Sequence, residues 1–360
     1  MSKSAYEKLA EHLDGMPQGF PRSESGVEIR LLKKIFTEEE AEVASQMKMM
    51  PESPEQVAER LGRDPKEMAD FLEKMVSKGQ LMGMGPKESR MYGAFPFIAG
   101  IHEFQLPRID KEYVELFGEY FEETYAEQVG KDALSQVRVY PIEQTIGDEL
   151  TVLPFEKVSN MVENAQAWAV ADCICRKEKQ IAGEGCSATM NNCIAFSTDP
   201  NGFDIEYRGA RKATKEEVLE LLKKAGEEGL VHTAWNVQDS HVFVCNCCTC
   251  CCLILRGVKK APQFAAKSNY YARIDADTCV ACGLCADDRC PMEAIDAKGE
   301  SYEVNPDRCI GCGVCVVTCP SGALSLQRKE EDQIDLPPDN IFTWAMEKAQ
   351  KTGRTMEELI

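Results

Sequence analysis

The distribution of cysteines is the feature that most constrains what this chain can fold into. Its 360 residues include 18 cysteines, and all of them lie between Cys173 and Cys319. Disulfides stabilise small secreted domains, whereas cysteines concentrated in one part of a large chain usually bind metal. The sequence therefore predicts thiolate-bound metal in the region after residue 172, rather than a disulfide framework.

The charge and hydropathy of the chain argue against several classes of protein. Acidic side chains outnumber basic ones by 60 to 41, and the formal charge of −19 argues against binding to the phosphates of a nucleic acid. The sequence contains no run of about 18 apolar residues, so we expect no membrane insertion. Residues 1–10 have no apolar segment typical of a secretory signal, which predicts a cytoplasmic protein.

The predicted fold class is a multidomain α+β or α/β protein with four segments. Residues 1–105 form a helical N-terminal domain, and residues 106–265 form a cysteine-rich α/β domain. Residues 266–330 form a small domain with two cysteine motifs. Residues 331–360 form an amphipathic helix or tail, which could dock on the body of the protein or reach a partner.

Sequence patterns typical of helices occur along the N-terminal segment. A glycine-rich stretch that we predict to form a hairpin follows them. Thr37 with Glu40 and Ser53 with Gln56 are typical of capping boxes. The order helix, turn, helix and hairpin resembles a winged-helix domain, which implies DNA binding. Between residues 26 and 100, however, 13 acidic side chains accompany 11 basic ones. A DNA reader usually presents a basic face, so we favour a structural or protein-docking module.

The central segment alternates strand and helix patterns. We predict a buried strand over Ala167–Cys175, irregular backbone over Asn191–Arg211, a helix after Thr214 and a strand over His241–Cys245. Strand, helix, strand implies a right-handed crossover between parallel strands. The strands would then end at one edge of the sheet, where open α/β sheets bind ligands. This edge would collect the central cysteines.

The most specific pattern lies near the C-terminal end of the chain. Two runs of four cysteines, each followed by proline, are Cys279, Cys282, Cys285 and Cys290, then Cys309, Cys312, Cys315 and Cys319. The second run reads C-x2-C-x2-C-x3-C-P, and the first has one additional residue before its last cysteine. A tight loop of this kind brings three thiolates to a cluster, and the fourth iron must be reached from elsewhere.

Residues 270–328, which contain both runs, resemble a bacterial-type ferredoxin domain with two [4Fe–4S] clusters. In that family the fourth cysteine of each run binds the other cluster. The resemblance therefore assigns Cys279, Cys282, Cys285 and Cys319 to one cluster, and Cys309, Cys312, Cys315 and Cys290 to the other. The additional residue before Cys290 can bulge outward without loss of that ligand. Structural zinc is the alternative, but it does not require eight cysteines followed by prolines.

Ten cysteines remain, in two sets that the predicted sheet edge would bring together. They are Cys173, Cys175, Cys186 and Cys193, and then Cys245, Cys247, Cys248, Cys250, Cys251 and Cys252. Adjacent cysteines point in different directions, so the second set cannot all serve one small cluster. We expect one or two further iron–sulfur clusters, with the first set binding one and the second set supplying another. Zinc and buried structural thiols remain alternatives.

Few other side chains have a pattern that points to chemistry. His232 and His241 flank the second set and could bind a cluster or relay a proton, although a lone histidine more often has an ordinary core or surface role. Arg176 follows Cys175 and could donate to a cluster sulfur, anchor an anion or form a surface salt bridge. The sequence contains no glycine motif typical of nucleotide binding.

The region 150–328 resembles multi-cluster iron–sulfur proteins of anaerobes, which implies electron transfer beside an oxidoreductase. We therefore predict a non-catalytic electron-transfer protein that is a subunit or dedicated partner of an anaerobic oxidoreductase complex. Its acidic surface predicts a basic docking surface on the partner. One alternative is a reductase that acts on a disulfide or another small substrate at a central cluster. Another is an iron–sulfur redox-sensing transcription factor, which the acidic charge disfavours.

Overall fold

The computed structural model describes residues 3–131, 134–203 and 209–353. The N-terminal part consists of helices α1 (Ala5–Gly15), α2 (Val27–Ile35), α3 (Glu38–Ala44), α4 (Pro54–Leu61) and α5 (Pro65–Ser77), followed by an antiparallel hairpin of β1 (Met82–Met84) and β2 (Met91–Gly93). Complete capping boxes begin α3 at Thr37 and α4 at Ser53. These two helix starts are therefore confirmed.

A helical segment connects the N-terminal part to the central sheet. After the short helix α6 (His102–Phe104), α7 (Lys111–Tyr120) continues through a wide turn at Phe121–Tyr125 into α8 (Ala126–Gly130). The buried aromatic side chains of this segment are Tyr113, Phe117, Tyr120, Phe121 and Tyr125. They belong to one hydrophobic core that extends from the N-terminal helices to several central cysteines.

A seven-stranded sheet lies at the centre of the molecule. Its strands are β3 (Val137–Tyr140), β4 (Ala167–Asp172), β5 (Asn191–Ser197), β6 (Arg211–Ala213), β7 (Val231–Trp235), β8 (Phe243–Cys247) and β9 (Ala265–Ala266). They are arranged in the order β6-β4-β5-β8-β7-β3-β9. Neighbouring strands are antiparallel, except that β3 and β9 are parallel.

The predicted crossover therefore omits a strand. The segment expected to be irregular contains β5, which lies between β4 and β8 and runs antiparallel to both. Since β5 reads NNCIAFS, its apolar part is too short for periodicity to identify it as a strand. The strand expected to reach Cys175 ends at Asp172, so Cys173 caps helix α10 (Ile174–Ile181). Strands β4 and β8 still run in the same direction, but they are not neighbours.

Helices cover both faces of the sheet. On one face, α9 (Val158–Glu163) and α11 (Lys215–Glu228) pack against Val170, Ile194 and Val244. Toward the other face lie α10, α12 (Leu253–Lys260) and the segment that contains α7 and α8. Successive side chains of a strand point to opposite faces. The pleat of β5 and β8 therefore decides which of their cysteines point toward α10 and α12.

The two cysteine motifs near the C-terminal end lie between two small antiparallel strand pairs. Strand β10 (Tyr270–Ile274) pairs with β13 (Leu324–Arg328), and β11 (Ile295–Lys298) pairs with β12 (Ser301–Val304). This region contacts the central sheet, because the amide of Ile142 donates to the carbonyl of Cys312 at 3.0 Å. The fold is therefore a mixed α/β arrangement of several sheets and many helices.

The C-terminal helix docks on the body of the protein. Helix α13 (Ile341–Thr352) buries Trp344 completely, and the Trp344 ring lies 5.4 Å from that of Trp235 in an edge-on arrangement. The predicted amphipathic helix extends to residue 360, but residues 354–360 lie outside the described residues. Within the described ranges, no helix is both long and apolar enough to span a bilayer.

Candidate iron–sulfur and thiolate sites

Four cysteines line a pocket near the surface, which we name the outer pocket. They are Cys279, Cys282, Cys285 and Cys319, the set that the ferredoxin resemblance assigns to one cluster. Around them, Val280 is 63% exposed and Leu284 is 42% exposed. The outer pocket therefore lies beneath an apolar surface that water or a partner can reach.

The other four motif cysteines line a second pocket, which we name the inner pocket. They are Cys290, Cys309, Cys312 and Cys315. Burial raises the pKa of Cys312 to about 12. The additional residue before Cys290 is accommodated by a wide turn, in which the Cys290 amide donates to the Cys285 carbonyl at 3.0 Å. This turn keeps Cys290 at the inner pocket.

Glycine is required where the second motif packs against its neighbours. A Cβ at Gly311 would lie 2.0 Å from the Tyr270 carbonyl oxygen, and one at Gly313 would lie 2.3 Å from Thr145 Oγ1. Both glycines also have φ near +70°, a conformation that favours glycine (φ +68° and +78°). The loop can therefore wrap closely around the inner pocket only because these positions lack side chains.

The spacing of the motif thiols fits a cluster better than a single ion. Across the described ranges, neither motif brings three sulfur atoms within 4.8 Å of one another. A four-iron cluster holds its thiolates at separate corners, farther apart than the ligands of one tetrahedral ion. Both motif pockets are consequently suited to a [4Fe–4S] cluster.

Six of the ten central cysteines line one interior pocket, and we name them the deep thiol group. They are Cys173, Cys175, Cys193, Cys245, Cys247 and Cys252. Cys193 pairs directly with Cys245 across β5 and β8, so both side chains point to the same face. Cys247 lies two residues further along β8 and shares that face. The pleat thus brings three of these thiols together.

Contacts among thiols join the remaining members of the deep thiol group. Cys252 Sγ lies 3.0 Å from Cys247 Sγ, and the thiols of Cys173 and Cys175 interact with each other. Burial and the neighbouring thiol of Cys247 shift the pKa of Cys252 well upward, although the hydrogen bond with Cys175 opposes the shift. Such a buried thiol becomes a thiolate only beside a compensating cation, which a metal supplies.

The other four central cysteines meet at the surface, and we name them the surface quartet. They are Cys186, Cys248, Cys250 and Cys251, whose sulfur atoms all lie within 4.8 Å of one another. Although partial burial opposes it, hydrogen bonds from the Ala188 amide and the neighbouring thiols lower the pKa of Cys186 to about 7. The division expected from the sequence, with Cys186 beside Cys173, Cys175 and Cys193, is therefore not the one observed.

The turn after β8 explains why the consecutive cysteines separate. Cys247 and Cys252 at its two ends line the deep pocket, whereas Cys248, Cys250 and Cys251 meet Cys186. Of these four, Cys186 and Cys250 are exposed and Cys251 is buried. This agrees with the expectation that adjacent cysteines cannot all serve one site. Between them, the Thr249 hydroxyl donates to the Pro291 carbonyl at 3.2 Å, so the turn also touches the inner-pocket loop.

Arg176 is a buried cation between the deep thiol group and the surface quartet. It is 2% exposed and donates to the carbonyl oxygens of Thr189 at 2.8 Å and Asn246 at 2.7 Å. Its Nε atom is buried and has no hydrogen-bond partner among the described residues. The alternative of a surface salt bridge is therefore wrong. A buried guanidinium beside cysteine thiols fits an anionic metal–thiolate site.

Both histidines that flank the second set have ordinary core contacts. His232 is buried, and its Nδ1 lies 2.7 Å from Asn246 Oδ1. His241 Nε2 lies 3.1 Å from the Tyr140 hydroxyl, and burial lowers the His241 pKa to about 4. Neither histidine lines the pocket of the deep thiol group.

A buried acidic side chain that interacts with Cys175 was not expected from the sequence. Glu178 is buried in α10, and its carboxylate lies 3.9 Å from His102 Nε2. Burial raises the Glu178 pKa well above its ordinary value. Because Glu178 follows Cys175 by three residues, the helical period alone could have placed both on one face.

Comparisons with known proteins cover only the end of the cysteine-rich region. Residues 302–325 match the family model described as the 4Fe-4S binding domain. This match begins in β12 and includes the whole second motif. No curated protein and no solved structure matches the chain. The chain therefore contains an iron–sulfur domain of the ferredoxin type.

Proposed function

We propose that this chain is an electron-transfer protein, acting as a subunit or dedicated redox partner of an anaerobic oxidoreductase complex. In this proposal the outer and inner pockets each hold a [4Fe–4S] cluster, and the deep thiol group holds a further iron–sulfur cluster. Such clusters supply one-electron redox chemistry. The observation that carries the proposal is that the eight motif cysteines line two pockets and six central cysteines line a third.

Shared packing supports electron transfer between these pockets. Cysteines of both motif pockets, including Cys285 and Cys315, contribute to one small hydrophobic cluster. Inner-pocket residues such as Cys312 pack in the same core as Cys247 and Cys252. The Thr249–Pro291 hydrogen bond also links the turn after β8 to the inner-pocket loop. Burial of Cys312, Cys247 and Cys252 excludes water from the inner and deep sites. Exclusion of water limits the reorganisation that accompanies each charge change.

Charge supports the outer pocket as the docking point for a partner. Residues 270–328 contain nine acidic and five basic side chains. Exposed carboxylates beside the first motif include Asp275, Asp277, Asp287 and Asp288. We expect a partner with a basic surface to bind here, because complementary charge steers association.

Metal analysis of anaerobically purified full-length protein tests this proposal. Clusters in the two motif pockets alone give about eight irons with matching sulfide, and a cluster in the deep thiol group raises the count to about twelve or more. Cys279→Ala should remove iron from the outer pocket and leave the signal of a deep cluster in electron paramagnetic resonance (EPR) spectra. Cys252→Ala should remove the EPR signal of the deep cluster and leave iron in the outer pocket. A protein that binds no more than trace iron and sulfide would contradict the proposal.

A second candidate function, a reductase for disulfides or other small substrates, is favoured by the number of deep thiols. The group offers six thiols, two more than a four-iron cluster requires. Apolar side chains, including Ile98, Tyr125 and Phe264, complete the pocket wall. If the chain is a reductase, the EPR spectrum of the reduced protein should change when a small disulfide is added, and thiol should be released. An unchanged spectrum together with no thiol release would rule it out.

A further inference from the structure

The surface quartet differs in geometry from every pocket that the proposed function uses. Cys186 Sγ lies 3.8 Å from Cys248 Sγ and 3.6 Å from Cys251 Sγ, and Cys251 Sγ lies 3.7 Å from Cys250 Sγ. All four sulfurs lie within 4.8 Å of one another, and the metal-ligating side chains of the described residues form no other such group.

These separations are those expected around one tetrahedral ion. Zinc–sulfur bonds of about 2.3 Å at tetrahedral angles place the sulfur atoms about 3.8 Å apart. A four-iron cluster needs more room between its thiolates, as the two motif pockets provide. The quartet therefore encloses space for a single ion and not for an inorganic cluster.

We propose that Cys186, Cys248, Cys250 and Cys251 bind one metal ion, zinc, in a closed four-thiolate site that is separate from the iron–sulfur clusters. Four thiolates with no open position are the ligand set of structural zinc. Mononuclear iron would use the same ligands, and the experiment below separates the two metals. Because it rests on sulfur geometry alone, the proposal does not depend on the proposed electron-transfer function.

The position of the quartet indicates what the ion does. Cys186 lies in the loop after α10, and the other three ligands lie in the turn between β8 and α12. One ion therefore joins two loops that are distant in the sequence. Cys247 and Cys252, which flank this turn, belong to the deep thiol group. The ion thus holds the turn that positions two deep thiols.

The nearby cation supports a negatively charged site. Arg176 is almost completely buried and interacts with the Cys248 thiol. Zinc with four thiolates carries a formal charge of −2. A buried guanidinium beside this site offsets part of that charge, and the arrangement accounts for a cation in the interior.

X-ray absorption spectroscopy at the zinc edge tests the proposal on the intact chain. Protein purified anaerobically from medium that contains both metals should hold about one zinc per chain, bound by four sulfurs at about 2.3 Å. An excess of iron over acid-labile sulfide would identify mononuclear iron, provided that this iron is bound by four sulfurs and has no second iron nearby. This result would still support a single-ion site. Nitrogen or oxygen ligands at the zinc would overturn the proposal.

Two variants then locate the ion. Cys186→Ala, at an exposed position, should reduce zinc from about one per chain to below about 0.2. Cys279→Ala is the matched control, which should lose iron and sulfide and keep its zinc. If Cys186→Ala instead loses about four irons and four sulfides with zinc unchanged, the quartet binds a cluster and the proposal fails. It also fails if the metal content of Cys186→Ala equals that of the unmodified protein.

Discussion

At the scale of single residues, the chemistry depends on which charges are buried beside the thiols. Arg176 follows Cys175 in the sequence, but its side chain lies between two thiol groups and donates to backbone carbonyls. A charge in the interior acts with little screening, because the local dielectric constant is far below that of water. Reduction potential and local stability should therefore depend on such residues more than on surface charges.

Replacement of Arg176 by methionine should lower the reduction potential of the proposed deep cluster. Loss of a cation makes the addition of an electron less favourable, and we expect a shift of roughly −50 to −150 mV. Arg176→Lys, which keeps the charge, should shift the potential much less. EPR-monitored redox titration measures both variants, with the motif clusters as an internal reference. Equal potentials in Arg176→Met and unmodified protein would contradict the assignment.

Replacement of His241 by glutamine should reduce the loss of stability at mildly acidic pH. Burial lowers the His241 pKa to about 4, whereas the unfolded value is about 6.5. Between pH 6.5 and 4 the unfolded chain therefore binds a proton at this histidine more readily than the folded protein does. The free energy of unfolding keeps its full value above pH 6.5 and declines as pH falls toward 4. When the pH is lowered from 7.5 to 5.5, the free energy of unfolding should fall by about 1.4 kcal/mol more in the unmodified protein than in His241→Gln.

Anaerobic urea unfolding at both pH values measures this difference for His241→Gln. Burial also lowers the pKa of His12 and His232, but both residues are the same in the two proteins, so their contributions cancel. If the free energy of unfolding changes equally in both proteins between the two pH values, His241 does not titrate as its burial implies.

At the scale of elements, loops and turns decide which thiols meet. The turn after β8 places its first and last cysteines in the deep thiol group and the middle ones beside Cys186. In the second motif, close contact with β10 and with Thr145 requires glycine at two positions. Such close approaches leave no space for even one methyl group.

Replacement of Gly311 by alanine should disrupt the inner pocket. The added Cβ would clash with the Tyr270 carbonyl at 2.0 Å and would also strain a residue with φ +68°. Gly322→Ala is a matched control, since Gly322 has the same φ of +68° and an added Cβ there would have no heavy atom of the described residues within 4 Å. We expect Gly311→Ala to lose about four irons and Gly322→Ala to keep them. Equal iron contents would show that the close packing is not needed for cluster binding.

At the scale of the whole molecule, the acidic charge bears on the proposed docking of a partner. The formal charge is −19. Two four-iron clusters with four thiolates each would make it about −23. A surface of this kind attracts basic proteins over a distance that salt shortens.

Electron transfer from the reduced protein to a basic acceptor protein should slow as ionic strength rises. Stopped-flow measurements over about 20 to 500 mM salt should show the decline, because screening removes the attraction. Asp277→Asn combined with Asp288→Asn, beside the outer pocket, should weaken the salt dependence. Glu55→Gln combined with Glu59→Gln, which changes the net charge equally on α4, should leave it nearly unchanged. A rate independent of salt would contradict docking by charge.

The sequence alone determined the local features of this protein. Capping residues identified the starts of α3 and α4, and the spacing of the second motif identified the iron–sulfur domain, because both patterns act within a few residues. The distribution of cysteines predicted metal binding in the region after residue 172. These inferences need no knowledge of how distant segments pack.

Only the tertiary structure decided how the ten central cysteines divide. Cys186 meets Cys248 although 62 residues separate them, and Cys193 faces Cys245 because β5 lies between β4 and β8. Strand order, register and the path of the turn after β8 produce these contacts, and none of them leaves a periodic signal in the sequence. Sulfur positions depend on packing between distant segments, whereas motif spacing records only what the backbone does locally.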